Sequence, residues 1–138
     1  MTDKIVINKH IANLEQTIHN LKILQQLSEE QFHNNFQHIW AAEHGLQIAI
    51  QNIIDMGGHI LASLGENNIN EYSDIIRNLG KLNIIPQKFA EQISGMAGFR
   101  NILIHEYVMV DENIVFDCLQ KNIGDFEKFV IHIRNYLR

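Results

Sequence analysis

The sequence predicts an all-α protein, an up-and-down bundle of four to five helices forming a single domain over residues 1–138. Three observations predict it. Apolar residues recur at steps of three and four through most of the chain, the spacing that makes one face of a helix. There is one proline in 138 residues, as long helices require. No segment alternates with the period of two that a half-buried strand shows. A chain of this length can bury a core without disulfides or metals.

The first helix is expected from roughly Ile5 to Leu27, with the stripe Ile7, Ile11, Leu14, Ile18, Leu21 and Leu24. Ser28, followed by Glu29 and Glu30, reads as a new N-cap with acids in the first turn. A second, long helix is expected from roughly Glu30 to Leu64. Its stripe is Phe32, Phe36, Ile39, Glu43, Leu46, Ile50, Ile53, Gly57 and Ile60, in which Glu43 and Gly57 break the chemistry. Gly57-Gly58 suggests a kink or a close neighbour. A loop at Leu64–Asn68 leads to a short helix through Tyr72, Ile75, Ile76 and Leu79, capped by Asn70 or Ser73 and stopped at Gly80. Pro86 suits the first turn of the next helix, expected to run to Tyr107. Asp111 caps the last, whose stripe is Leu119, Ile123, Phe126, Val130, Ile133 and Leu137.

Composition narrows the function. The net charge of −5 does not mark a nucleic-acid binder, but it is unevenly spread. Residues 1–75 carry three Lys/Arg against nine Asp/Glu, and residues 76–138 eight against seven, so an anionic ligand would favour the C-terminal half. The single cysteine, Cys118, cannot form an internal disulfide and points to a reducing, cytoplasmic home. Neither a signal peptide nor an apolar run near the ~20 residues of a membrane span is visible, so no membrane association is expected. His33, His38 and His44 are spaced by five and six, which scatters them around a helix, and paired cysteines are absent, so no metal site is expected. A glycine-rich phosphate loop and a Gly-x-Ser-x-Gly elbow are also absent, and no cofactor is expected.

The helix from Pro86 to Tyr107 carries the chemistry. Phe89, Ile93, Met96, Arg100, Leu103 and Tyr107 share one face, which places Arg100 on an apolar stripe. A half-buried guanidinium there needs acceptors or an anionic ligand. Ser94, Gly98, Asn101 and His105 form an adjacent small and polar face. Arg100 and His105 are five residues apart, about 140° around a regular helix. They can serve one atom only if the helix ends or bends near His105, or if a two-fold interface combines two copies. Histidine suits proton transfer near neutral pH, and arginine grips phosphate and stabilises charge developing on it. Together they suit metal-independent RNA cleavage, in which the 2′-OH is the nucleophile; DNA lacks that group. Taken alone, an Arg-Asn pair is commonly a helix–helix hydrogen-bond anchor, and a histidine at helical spacing is more often a satisfied core or surface residue.

The segment Arg100-Asn101-Ile102-Leu103-Ile104-His105-Glu106-Tyr107 resembles the Arg-x4-His-x-Tyr signature of HEPN domains. The longer stretch from Met96 to Tyr107, with Leu46–Gly57, resembles the HepT-like toxin family, once a domain of unknown function numbered 86. The resemblance implies an α-helical homodimer with its site at the interface and a metal-independent RNase toxin. It also implies an MNT-type nucleotidyltransferase antitoxin partner, which silences the toxin by adding AMP to Tyr107. The implied roles are Arg100 and His105 in catalysis and Asn101 in support. Tyr107 is a sensible switch, because AMP there adds bulk and negative charge on the arginine's own face.

Other residues are weighed beside these. Glu43 can orient Arg100 or His105 from across the bundle, or it is a core-edge carboxylate. Asp55, one turn before His59, reads as structural. Lys121, Lys128, Arg134 and Arg138 either steer RNA or sit favourably at helix ends. The rival to a ribonuclease is a non-catalytic helical interaction module, or a substrate-presenting partner of a nucleotidyltransferase. An inactive remnant that binds a nucleotide in the same cleft is a third reading.

Overall fold

The computed structural model describes residues 3–105 and 110–138. Among these the chain forms eight helices and no strand: α1 (Lys4–Gln25), α2 (Glu29–His33), α3 (Phe36–Ser63), α4 (Tyr72–Lys81), α5 (Gln87–Ile93), α6 (Met96–Ile104), α7 (Glu112–Lys121) and α8 (Ile123–Leu137). Three expected long helices are each divided at one short break, so the bundle keeps its expected order with more segments.

The first helix forms as expected. Asp3 caps α1, its carboxylate accepting from the N–H groups of Ile5 and Val6 at 3.0 and 3.3 Å. Ile7, Ile11, Leu14, Ile18 and Leu21 are buried along it. Ser28 caps α2 in a reciprocal box with Gln31: Ser28 Oγ accepts from Gln31 N–H at 3.1 Å, and Gln31 Oε1 from Ser28 N–H at 2.9 Å.

The expected helix from Glu30 to Leu64 is interrupted. Asn34 closes α2, and Asn35 starts α3 by accepting from Gln37 N–H at 2.9 Å. Asparagine binds nearby backbone well enough to compete with a continuing helix. The break turns Phe36 off the stripe, so it is exposed while Phe32 is fully buried. From Ile39 onward the stripe holds. Gly57 serves close approach: a Cβ there would lie 2.6 Å from Ile75 Cγ2 on α4.

The end of α4 corrects another expectation. Gly80 does not stop the helix; it lies inside it, where a Cβ would come within 2.6 Å of Ala90 Cβ on α5. The stop is Asn83, with φ 57, in the left-handed region. Asn83 N–H donates to Gly80 O and Ile84 N–H to Leu79 O, both at 3.0 Å, which satisfies the last carbonyls. At the other end the cap is Glu71 rather than Asn70 or Ser73. Asp74 accepts from the N–H groups of Asn70 and Glu71, and these bonds hold its carboxyl below the usual range.

The helix expected from Pro86 to Tyr107 breaks at Ser94-Gly95 into α5 and α6, and α6 ends at Ile104. Asp111 caps α7 as expected, accepting from Asn113 N–H at 2.9 Å. The last stripe continues across a break at Asn122, with Leu119, Ile123, Phe126, Val130 and Ile133 buried.

α3 is the central helix, packed against α1, α2, α4, α6, α7 and α8. α1 and α8 run antiparallel, as the pairs Lys22–Glu127 at 2.9 Å and Glu15–Arg134 at 2.7 Å show. The core unites residues of every helix. Each fully buried Ile, Leu or Phe contributes about 1.5–3 kcal/mol, which is why α3 is so firmly fixed. Its inner face also holds Asn52, whose Oδ1 lies 2.9 Å from His10 Nδ1 and whose amide donates to Ile48 O. His10 thus ties α1 to α3. Among the described residues, no helix is long and apolar enough to cross a membrane.

Candidate active site

The site lies where α6 crosses the outer face of α3. Arg100 is half-buried on α6, as its place on an apolar stripe requires. Its Nε donates to Gln51 Oε1 at 2.6 Å, and its Nη1 donates to Asn101 Oδ1 at 3.0 Å. The guanidinium carbon lies 5.2 Å from the centroid of the Tyr72 ring, at the start of α4. Among the described residues Arg100 makes no ion pair with a carboxylate. The charge is thus held by neutral acceptors and an aromatic face, which leaves it available to an anionic ligand.

His105 is the residue that follows α6. Its backbone, at φ −85 and ψ 89, has left the helix, and its side chain is exposed. The early end takes His105 off the regular helix, so the angle that five helical residues would impose does not apply to it. His105 lines a cleft of about 590 Å³ together with Glu43, His44, Gln47 and Glu112, and Phe36 and Trp40 stand at its edge. Those two rings meet edge to face, 4.9 Å apart, and both are largely exposed. Gln47, in the cleft, is one helical turn from Gln51, which holds Arg100.

The predicted residues are therefore placed unequally. Asn101 is in direct contact with Arg100. Glu43 shares the cleft of His105 but makes no ion pair with Arg100 among the described residues. Burial pushes the Glu43 carboxyl above the usual glutamate range, and the negative charge of Glu112 pushes it the same way. Glu112 in turn lies 3.1 Å from His33 Nδ1. Tyr107 lies outside the described residues.

Sequence reasoning missed Gln51 and Tyr72. A faint signal existed: Gln47, Gln51 and Asp55 recur at steps of four on α3, a polar row on an otherwise apolar helix. Of the C-terminal cations, Arg134 is committed to Glu15 in a two-pronged pair at 2.7 and 3.0 Å, which leaves it less free to steer RNA. No three His, Cys, Asp or Glu side chains among the described residues cluster as metal ligands would.

Comparison with known proteins meets this geometry. The chain is 27% identical to a tRNA nuclease HepT of Aphanizomenon flos-aquae, over 98% of this chain and 92% of that protein. It is 30% identical to an mRNA nuclease HepT of Shewanella oneidensis, over 91% and 93%. Its fold superposes on a tri-AMPylated HEPN toxin of Shewanella oneidensis solved in complex with an MNT antitoxin. There the TM-score is 0.85 at 26% identity, covering 98% of this chain and 99% of that one. A toxin–antitoxin structure with AMP-PNP gives a TM-score of 0.86 at 25% identity, covering 94% and 98%. Residues 7–133 match the family model described as Ribonuclease HepT-like, and the chain belongs to that family.

Proposed function

We propose that this protein is the RNase toxin of a toxin–antitoxin pair, a single-domain cytoplasmic ribonuclease controlled by an MNT-type nucleotidyltransferase. The observation that carries the reading is Arg100: a half-buried cation, fixed by neutral partners, whose partner Gln51 is one helical turn along α3 from Gln47 in the cleft that His105 lines. Its free N–H groups suit the non-bridging oxygens of a phosphodiester.

Cleavage proceeds through the ribose. The 2′-OH attacks the adjacent phosphorus, its proton passes to a base, and the 5′-oxygen leaves with a proton. His105 serves in this proton transfer, and Arg100 stabilises the charge that builds on the phosphoryl oxygens. The P–O5′ bond breaks as the O2′–P bond forms, so the first product carries a 2′,3′-cyclic phosphate. Asn101 supports Arg100 through Nη1, and Glu43 shapes the field around His105. None of these roles requires a metal ion. AMP on Tyr107 would add bulk and negative phosphate to the signature segment and so silence the toxin. The Phe36–Trp40 pair at the cleft's edge is where a second copy would pack, making a homodimer with the site at its seam.

The test is RNA cleavage in chelator by unmodified protein against His105→Ala, with product ends identified by mass. Cleavage by wild type alone, leaving cyclic or 3′-phosphate ends, is expected. Equal inactivity of both folded proteins on several RNAs, with Tyr107 free of AMP, would instead favour a non-catalytic partner of the nucleotidyltransferase.

A further inference from the structure

We propose that Gln51 and Asp55 form a positioning relay on α3 that sets the orientation of the Arg100 guanidinium. The inference rests on the ribonuclease reading for its kinetic consequence, though not for its geometry. Two short hydrogen bonds run in series: Arg100 Nε donates to Gln51 Oε1 at 2.6 Å, and Gln51 Nε2 donates to Asp55 Oδ1 at 2.7 Å.

The chemistry of the three groups allows only one arrangement. A carboxylate accepts and cannot donate, and a guanidinium donates and cannot accept. The amide between them must therefore turn its nitrogen to Asp55 and its oxygen to Arg100. The reverse orientation would set N–H against N–H at one end and oxygen against oxygen at the other. Asp55 touches neither Arg100 nor the cleft, yet its charge fixes which face of Gln51 the arginine meets. The helix supplies the spacing, since residues four apart on α3 stand on one side.

The relay engages Nε, and Asn101 takes one hydrogen of Nη1. Tyr72 covers one face of the plane. What remains is the Nη2 group and the second hydrogen on Nη1, the edge of the fork that grips a phosphate in two-pronged fashion. Without the relay the side chain could turn about its last bonds and offer Nε instead. Gln51 and Asp55 are thus positioning residues, and Asp55 acts wholly through Gln51.

The experiment compares wild type with Gln51→Ala, Asp55→Ala and Asp55→Glu in unmodified protein. It measures cleavage of one RNA, thermal midpoints, and the Arg100 Nε–H resonance in nitrogen-labelled protein, assigned with Arg100→Lys. The expected wild-type resonance is protected from exchange. It should lose that protection in Gln51→Ala and Asp55→Ala and keep it in Asp55→Glu. kcat/KM should fall on the order of tenfold in the two alanine variants and recover in Asp55→Glu, with midpoints little changed because Asp55 is exposed. A resonance indifferent to Asp55→Ala overturns the relay, whatever the activities. If the resonance follows Asp55 but no protein cleaves RNA, the relay stands and the ribonuclease reading falls.

Discussion

Arg100 and His105 are five residues apart, yet they are held in opposite ways. Arg100 lies within α6, half-buried, with Gln51, Asn101 and Tyr72 on separate sides of its guanidinium. His105 lies just past the helix, exposed, at the edge of a cleft that also contains two carboxylates. The difference suits the roles proposed for them. A group that stabilises developing charge works best when it is already oriented, because no reorganisation is then needed as the reaction proceeds. A group that exchanges protons needs access to substrate and solvent, and a helix end gives it that.

The comparison is most severely tested at His105. Replacing it with alanine should lower kcat by about a hundredfold to ten-thousandfold with little effect on the thermal midpoint. A large loss of stability would mean that His105 is structural. Arg100→Lys keeps the charge but removes the planar fork, and the expected loss in kcat/KM is on the order of a hundredfold. Near-normal cleavage by this variant would show that orientation is unimportant, erasing the contrast between the two residues. Tyr72→Leu removes the aromatic face beneath the guanidinium, a contact of about 0.5–1 kcal/mol, and a few-fold loss is expected in the same assay.

The smallest effect should come from Glu43→Gln, and it depends on pH. A carboxyl whose folded value lies above its unfolded value holds its proton more tightly in the folded chain. Wild-type stability is then lost as the pH rises from the ordinary glutamate value of 4.5 through the raised one. The glutamine variant escapes that loss. Its thermal midpoint should exceed wild type's near neutral pH, and the gain should vanish below pH 4.5. The exposure of the carboxyl keeps the gain small. If Glu43 also shapes the field around His105, the variant's pH–rate profile shifts; an unchanged profile confines Glu43 to a packing role.

Much of the fold was legible because the core is repetitive. The stripes of α1 and α3, and the caps at Ser28 and Asp111, follow from local spacing and side-chain chemistry. The breaks were harder. Asn34-Asn35 and Ser94-Gly95 read as ordinary helix surface, and such residues continue a helix or end it according to the capping bonds they find and the packing around them. Gly80 misled because glycine ends helices through its freedom and enters them through its small size, and sequence alone does not separate the two. In the site, the signature residues declared themselves on one helix. Gln51 did not, because its bond to Arg100 spans 49 residues and exists only once α6 lies on α3. A polar residue on the outside of a helix looks solvated until its neighbour is known.

Trp40 is the single tryptophan in the chain and stands 66% exposed beside the cleft. An indole already in water changes its emission little when the protein unfolds, but shifts to the blue when something covers it. Intrinsic fluorescence is therefore a poor thermometer for the single chain and a selective beacon at its cleft. Titration with RNA or dilution of the protein itself can then be followed without attaching a label.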